Sequence, residues 1–224
     1  MIHYIKLIVP LIILSFASCE LDNYEPPTST LTGTVTYDGK PIGVRSGGVQ
    51  LELWQPGFAL NTKIPVNIDQ EGRFSASLFD GTYKLTFLAG NGPWVVSTDT
   101  IVVHLNGSAD ITVPAEPYYT ISEETVARNG ENIEASFRAL AVNDSRALQS
   151  VGLYVGTTAI LDNINNKLKV ELPAADIATL DDPISLAVNL GPELSSRAYV
   201  YARIGVRTSG VNEMLFSPVF KINR

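Results

Sequence analysis

Of the side chains that commonly carry catalysis, this sequence holds few. Its two histidines are His3 and His104, and its single cysteine is Cys19. His3 falls in the leader described below, and His104 sits at Val103-His104-Leu105, where strand alternation points it outward. No Ser-His-Asp or Cys-His relay can be built from that set, because each needs an imidazole facing its nucleophile. A transition-metal centre would need clustered His and Cys. Neither a phosphate-binding loop nor a dinucleotide glycine fingerprint occurs. Two carboxylates facing one cleft would suffice for glycoside hydrolysis, and Asp69, Glu71, Asp80, Asp162, Asp181 and Asp182 are the candidates. All stand in expected turns, beside or within two residues of Gly, Asn or Pro, where Asp serves the local hydrogen bonding of turns. The run Asp162-Asn163-Ile164-Asn165-Asn166 offers oxygens to calcium but lacks the spacing and closing glutamate of an EF-hand. The expectation is a protein that is not an enzyme and uses no cofactor or metal.

Binding asks for less. A sugar ring presents an apolar C–H face that stacks on an aromatic side chain, while neighbouring amides and carboxylates take its hydroxyls. Trp54 alternates onto the same strand face as Gln50 and Glu52, and this trio forms the first candidate glycan-binding set. Trp94, after the loop Gly90-Asn91-Gly92-Pro93, is the fourth candidate, presented at a loop tip. Each tryptophan has a structural alternative: Trp54 caps a strand end, and Trp94 plugs the open end of a core. Tyr201, Arg203 and Arg207 share a face of a later strand and would form a polar patch. Tyr118 and Tyr119 would join two domains.

Those groups need a scaffold, and the start of the chain says where it works. Lys6 precedes an apolar run from Leu7 to Leu14, interrupted by Pro10, and the small residues Ala17 and Ser18 precede Cys19. The run is far short of the roughly 20 apolar residues of a spanning helix, so residues 1–18 read as a secretory leader that is removed. The stretch Leu11 to Cys19 resembles the lipobox of bacterial lipoproteins, with Phe16 where leucine is more usual. That resemblance implies that Cys19 becomes the first mature residue, carries a diacyl lipid and leaves no thiol for a disulfide. Residues 19–29 then form a polar tether containing Pro26-Pro27. Its acids Glu20, Asp22 and Glu25 resemble the export signal of surface lipoproteins in glycan-harvesting Gram-negative gut bacteria.

From Leu31 the pattern has period two. Leu31, Val35 and Tyr37 share one face, Asp38-Gly39 supplies a turn, and Val49, Leu51 and Leu53 form the next apolar face. Further strands are expected at 64–68, 73–79, 82–88, 101–105 and 109–113, which together describe a sandwich. Gly33-Thr34-Val35, Gly48-Val49-Gln50-Leu51, Gly72-Arg73-Phe74 and the stretch Leu78 to Leu85 resemble the prealbumin-like, carboxypeptidase-regulatory domain, over residues 30–114. The resemblance implies an accessory or adhesive module, with the aromatic of its G-x-Y step set between two sheets. Pro114-Ala115-Glu116-Pro117 is a stiff break, and a second domain over 118–224 follows. Its strands are expected around Ile133–Ala139, Val151–Val155, Leu168–Leu172, Ile184–Leu190, Ala198–Arg207 and Met214–Ile222. A helical turn is expected near Ala174, and a break at Gly191-Pro192. Leu194 to Tyr199, closing on Ser217-Pro218-Val219-Phe220, resembles the last hairpin of immunoglobulin and fibronectin-type sandwiches. In that resemblance Tyr199 is the corner tyrosine. The alternative places Val200, Ala202, Ile204 and Val206 inward.

The fold class expected is therefore all-β, two tandem sandwiches after a leader and a tether. The order of parts resembles a domain-of-unknown-function family of surface lipoproteins encoded beside starch-utilisation-system-like glycan importers, which implies a role near glycan capture. A formal net charge of −7, more negative still once Lys6 departs, argues against nucleic acid as a partner. It also argues against electrostatic docking on an anionic leaflet. The membrane partnership would rest on the lipid at the outer membrane and cell surface, with polysaccharide and outer-membrane importer proteins as the remaining expected partners. The rival expectation is a protein-contact or adhesin module without glycan binding, using exposed strand edges. Cys19→Ala is expected to leave the protein unacylated and to move it out of the membrane fraction; unchanged fractionation would contradict the lipobox reading.

Overall fold

The computed structural model describes residues 25–57, 62–180 and 182–224; the leader, Cys19 and Asp181 lie outside them. The first eight strands make two four-stranded sheets. In one, β1 (Ser29–Tyr37) lies between β5 (Arg73–Leu78), antiparallel to it, and β8 (Ser108–Pro114), parallel to it, with β2 (Lys40–Pro41) folded back on its end. The other runs in the order β4 (Lys63–Asn67), β3 (Gln50–Trp54), β6 (Gly81–Phe87), β7 (Ile101–Leu105). Asp38 and Gly39 both have positive φ, 48° and 71°, which closes the β1–β2 hairpin on the Tyr37 to Lys40 pair in a two-residue turn of the primed type. Leu31, Val35, Val49, Leu51 and Leu53 are completely buried between the sheets, as period-two alternation requires. Each such side chain contributes about 1.5–3 kcal/mol of burial. The G-x-Y aromatic, Tyr83, is buried, and its hydroxyl donates to the Phe79 carbonyl at 2.9 Å. At Gly33 a Cβ would lie 2.5 Å from the Phe74 ring, so only glycine lets β1 and β5 close there.

The second sandwich pairs a three-stranded sheet with a five-stranded one. The smaller holds β9 (Tyr119–Asn129), β10 (Asn132–Ala141) and β13 (Ile184–Asn189), with β10 central. The larger holds β11 (Leu148–Gly156), β12 (Leu168–Pro173), β14 (Tyr199–Thr208), β15 (Leu215–Phe216) and β16 (Phe220–Asn223). Ile133, Phe137, Val151, Leu153, Val155, Val200, Ala202 and Ile204 are completely buried between them. A 3-10 turn occupies Ala174–Asp176, and a short helix α1 occupies Gly191–Ser195.

Several sequence expectations need correction. Gly191-Pro192 opens α1 rather than breaking the chain: Pro stands early in the helix, where its missing N–H costs nothing, and Leu194 packs into the core. The long strand β9 was not anticipated, because Ser122, Glu123, Glu124, Thr125 and Arg128 make it polar. A bulge opposite Phe137, with Glu123 at φ 53°, breaks its alternation. Tyr199 is not a buried corner. It is 42% exposed, its ring packs edge-on to Tyr201 with centroids 5.7 Å apart, and Lys221 Nζ lies 4.2 Å over it. The inward set on β14 is the even-numbered one, Val200 to Val206.

Around Arg203 the odd-numbered face of β14 is covered by the first sandwich. Gly43 and Phe216 form an isolated bridge, with the Phe216 N–H 2.9 Å from the Gly43 carbonyl, and a Cβ at Gly43 would lie 2.4 Å from the Phe216 oxygen. Leu215 inserts into the first sandwich's core, and Tyr154, Leu161, Met214 and Phe216 form a smaller cluster at the junction. Arg203 was expected in an exposed patch with Tyr201 and Arg207. It is instead 1% exposed. Its Nε donates to Ser217 O at 2.8 Å, Nη1 to Leu161 O at 3.0 Å and Val44 O at 3.2 Å, and Nη2 to Gln70 O at 2.6 Å. The Phe216 ring lies 4.6 Å away under the guanidinium. Burial pulls its pKa down to about 10, against the opposing pull of Asp162, Glu71 and Asp69, so it stays charged at neutral pH. Arg45 adds an ion pair to Glu213 at the same junction, with Nε 3.1 Å from Oε2.

Arg203→Ala would strand four carbonyls, two from each sandwich, in a water-poor junction. An unfolding free energy lower by about 3 kcal/mol or more is expected in urea titration, with Arg203→Lys falling between. A midpoint equal to the wild type would contradict the assignment.

Candidate functional site

The outward face of the β4–β3–β6–β7 sheet collects the candidate binding residues. Its composition follows from register. On β3 the inward Leu51 and Leu53 leave Gln50, Glu52 and Trp54 facing out, each partly buried. Trp54 stands opposite Lys63 of β4 on one side and Lys84 of β6 on the other. Glu52 stands opposite Pro65 and Thr86, Gln50 opposite Asn67, and Thr82 opposite His104. The three predicted residues of β3 therefore do share one face, and cross-strand pairing surrounds them with hydrogen-bonding groups.

Their geometry is partly set. Trp54 Nε1 donates to Thr86 Oγ1 at 3.2 Å, which anchors the indole edge to the sheet. Lys63 Nζ pairs with Glu52 Oε1 at 2.5 Å, and Gln50 Nε2 donates to Asn67 Oδ1 at 2.9 Å. Lys63, Asn67, Lys84 and Thr86 were missed by sequence reasoning. The signal was present as the alternations Lys63-x-Pro65-x-Asn67 and Thr82-x-Lys84-x-Thr86, but only the register places them beside Trp54.

Trp94 departs from its expected role. It is 4% exposed, packs edge-on to Phe87 with centroids 5.5 Å apart, and forms an isolated bridge with Pro117. The loop before it is stapled down: Asn91 Oδ1 accepts the Gln50 N–H at 2.7 Å, and Asn91 Nδ2 donates to Gly48 O at 3.0 Å. Gly92 lies so close that a Cβ would sit 2.3 Å from the indole. The presentation of Trp94 as a stacking platform is therefore corrected to a plug over the end of the first core.

Of the carboxylates weighed for hydrolysis, Asp69, Glu71, Asp80 and Asp162 serve local structure, and Asp181 lies outside the described residues. Asp69 Oδ1 accepts the N–H groups of Glu71 and Arg73, at 2.8 and 2.9 Å, and Glu71 pairs with Arg73. Asp80 accepts from the Ser29 hydroxyl and from the Gly107 N–H, which together hold its carboxyl below the usual range. Asp162 Oδ1 accepts from Ile164 and Asn165, both at 2.7 Å, closing that loop on itself beside Arg203. Among the described residues no three His, Cys, Asp or Glu side chains come together as a metal site, and no helix is long and apolar enough to cross a membrane. His104 is exposed and shares a hydrogen bond with Thr82.

Comparison with curated protein sequences yields no match. Among solved structures, a DUF3823 family protein from Bacteroides ovatus is 35% identical with a TM-score of 0.81, covering 87% of this chain and 98% of its own. One from Parabacteroides merdae is 32% identical with a TM-score of 0.82, covering 89% and 100%. A candidate carbohydrate-binding protein from Bacteroides uniformis shares the fold at 20% identity and a TM-score of 0.71, covering 88% and 100%. The model of the N-terminal domain of DUF3823, a protein of unknown function, matches residues 29–116, and that of its C-terminal domain of unknown function matches residues 119–221. With both halves matched in order, the chain belongs to the DUF3823 family.

Proposed function

We propose that this protein is a non-catalytic, lipid-anchored lipoprotein of the outer-membrane surface that binds glycan for a polysaccharide uptake system. The observation that carries the reading is Trp54, edge-anchored by Thr86 and set among Gln50, Glu52, Lys63, Asn67 and Lys84 on an outward sheet face. An indole held in place loses little freedom on stacking against a sugar, and the surrounding amides, ammonium groups and carboxylate offer partners to its hydroxyls. The face is a sheet surface rather than a cleft, which suits a stretch of polymer better than a small substrate. The carbohydrate-binding description attached to the B. uniformis relative points the same way, although at that identity the likeness extends to fold alone. Cys19 supplies the anchor and residues 19–29 the reach.

The test is affinity electrophoresis of the soluble chain from Asp22 onward through gels containing plant, host and microbial polysaccharides. Retardation by at least one glycan is expected, weakened roughly tenfold by Trp54→Ala, the scale of one lost stacking contact. Trp94→Ala is expected to lower stability instead, since its ring is core. Unretarded migration through the whole panel would overturn glycan binding and favour a protein-contact module.

A further inference from the structure

Most polar side chains on the Trp54 face are already engaged by a neighbour. Trp54 Nε1 is held by Thr86, Lys63 Nζ pairs with Glu52, and Gln50 donates to Asn67. Further across the sheet, Thr82 and His104 share a hydrogen bond. Lys84 is the exception. It faces outward between the buried Tyr83 and Leu85 of β6, and among the described residues its ammonium has neither an ion pair nor a hydrogen bond. Register sets it directly opposite Trp54. Residues so opposed have Cβ atoms about 4.5–5.5 Å apart, well within the reach of a lysine stem. Val102 of β7 stands opposite Lys84 in turn and is 52% exposed, so indole, ammonium and an apolar side chain form one row across the sheet.

The charge of this face is opposite in sign to that of the chain. Lys63 and Glu52 offset each other at 2.5 Å, and the Glu52 side chain is only 14% exposed. Lys84 then leaves the outward face of these four strands with an excess of one positive charge, in a chain of formal net charge −7. Repulsion from distant acids is screened over about 10 Å at 0.1 M salt, so the nearby cation governs an anion placed here. We propose that this face takes an acidic polysaccharide: one sugar ring stacks on Trp54, and its carboxylate or sulfate ester meets Lys84 Nζ. The proposal names the class of glycan and rests on the Trp54 reading above. An acidic substituent stands at the rim of a sugar ring, so stacking on the indole carries it toward the neighbouring strand. One cation suits a polymer with an acid group on every sugar or two, whereas duplex DNA, with a charge about every 1.7 Å, needs many.

The probes are polygalacturonate, alginate and the sulfated galactan carrageenan, each beside its carboxyl-reduced or desulfated form, titrated calorimetrically into the soluble chain from Asp22 onward. At least one acidic polymer is expected to bind about threefold or more tighter than its neutral form in low salt. That advantage is expected to shrink at about 1 M salt, where the screening length falls to about 3 Å. A uronate polymer in that role assigns a carboxylate, and carrageenan a sulfate. Lys84→Ala is expected to weaken the acidic polymer about threefold, the scale of one exposed ion pair, and to leave its neutral form unchanged. Lys84→Glu is expected to weaken it further and Lys84→Arg to retain it, while Trp54→Ala weakens both forms. Absence of binding to every acidic polymer, equal binding of the neutral form, or indifference to Lys84→Glu overturns the proposal. Binding of neutral forms alone, lost in Trp54→Ala, overturns it and leaves the Trp54 reading standing; no binding to any polymer, beside unretarded gels, removes both.

Discussion

One buried guanidinium joins the two halves of this molecule. Arg203 projects from the central strand of the second sandwich and is met by four backbone carbonyls, Val44 and Gln70 from the first sandwich, Leu161 and Ser217 from its own. A guanidinium taken out of water costs several kcal/mol unless its donors are matched, and a carbonyl buried beside it has a cost of its own. Neither side can meet that demand without the other. The junction is thus self-specifying: a different angle between the sandwiches would leave a charge and several acceptors unpaired. Phe216 under the guanidinium and Leu215 in the neighbouring core give the same contact an apolar floor.

The functional reading depends on that junction. The outward face that carries Trp54 on the first sandwich keeps a fixed setting against the second only if that junction is held. The Gly43–Phe216 bridge, the Arg45–Glu213 pair and the hydrogen bonds of Gln70 to Ala159 and Leu161 all cross the same boundary. The bridge ties backbone to backbone, Gln70 ties its side chain to the backbone of the second sandwich, and Arg45 with Glu213 adds a side-chain ion pair. In a chain that uses no disulfide, such ties are the means available for rigidity between domains.

Much of this was legible in the residues. Alternation alone identified Val49, Leu51 and Leu53 as core, placed Trp54 with Gln50 and Glu52, and put His104 outside, because a strand's period of two is a local property. The all-β, two-sandwich class followed from the same signal. What was not legible depended on partners distant in sequence. Arg203 alternates onto the face with Tyr201 and Arg207, and nothing nearby announces that Val44, some 160 positions away, will cover it. Trp94 looks like a loop-tip residue until Asn91 is seen binding Gly48 and Gln50 across the core end. Tyr199 sits in a corner-like sequence, but the even-numbered Val200, Ala202, Ile204 and Val206 of β14 are smaller and apolar and take the interior. Lys63, Lys84 and Thr86 reach Trp54 only through register.

The claim that Arg203 makes one cooperative unit of two sandwiches is open to a direct measurement: urea unfolding of the wild-type chain followed by two reporters at once. Trp54 and Trp94 both lie in the first sandwich, so tryptophan fluorescence reports on it alone. Hydrogen-exchange mass spectrometry of peptides from β10, β11 and β14 reports on the second. A single midpoint and slope shared by both reporters is the predicted result. Two separated transitions in the wild type would contradict the account, because each sandwich would then be satisfying its own polar groups without the other.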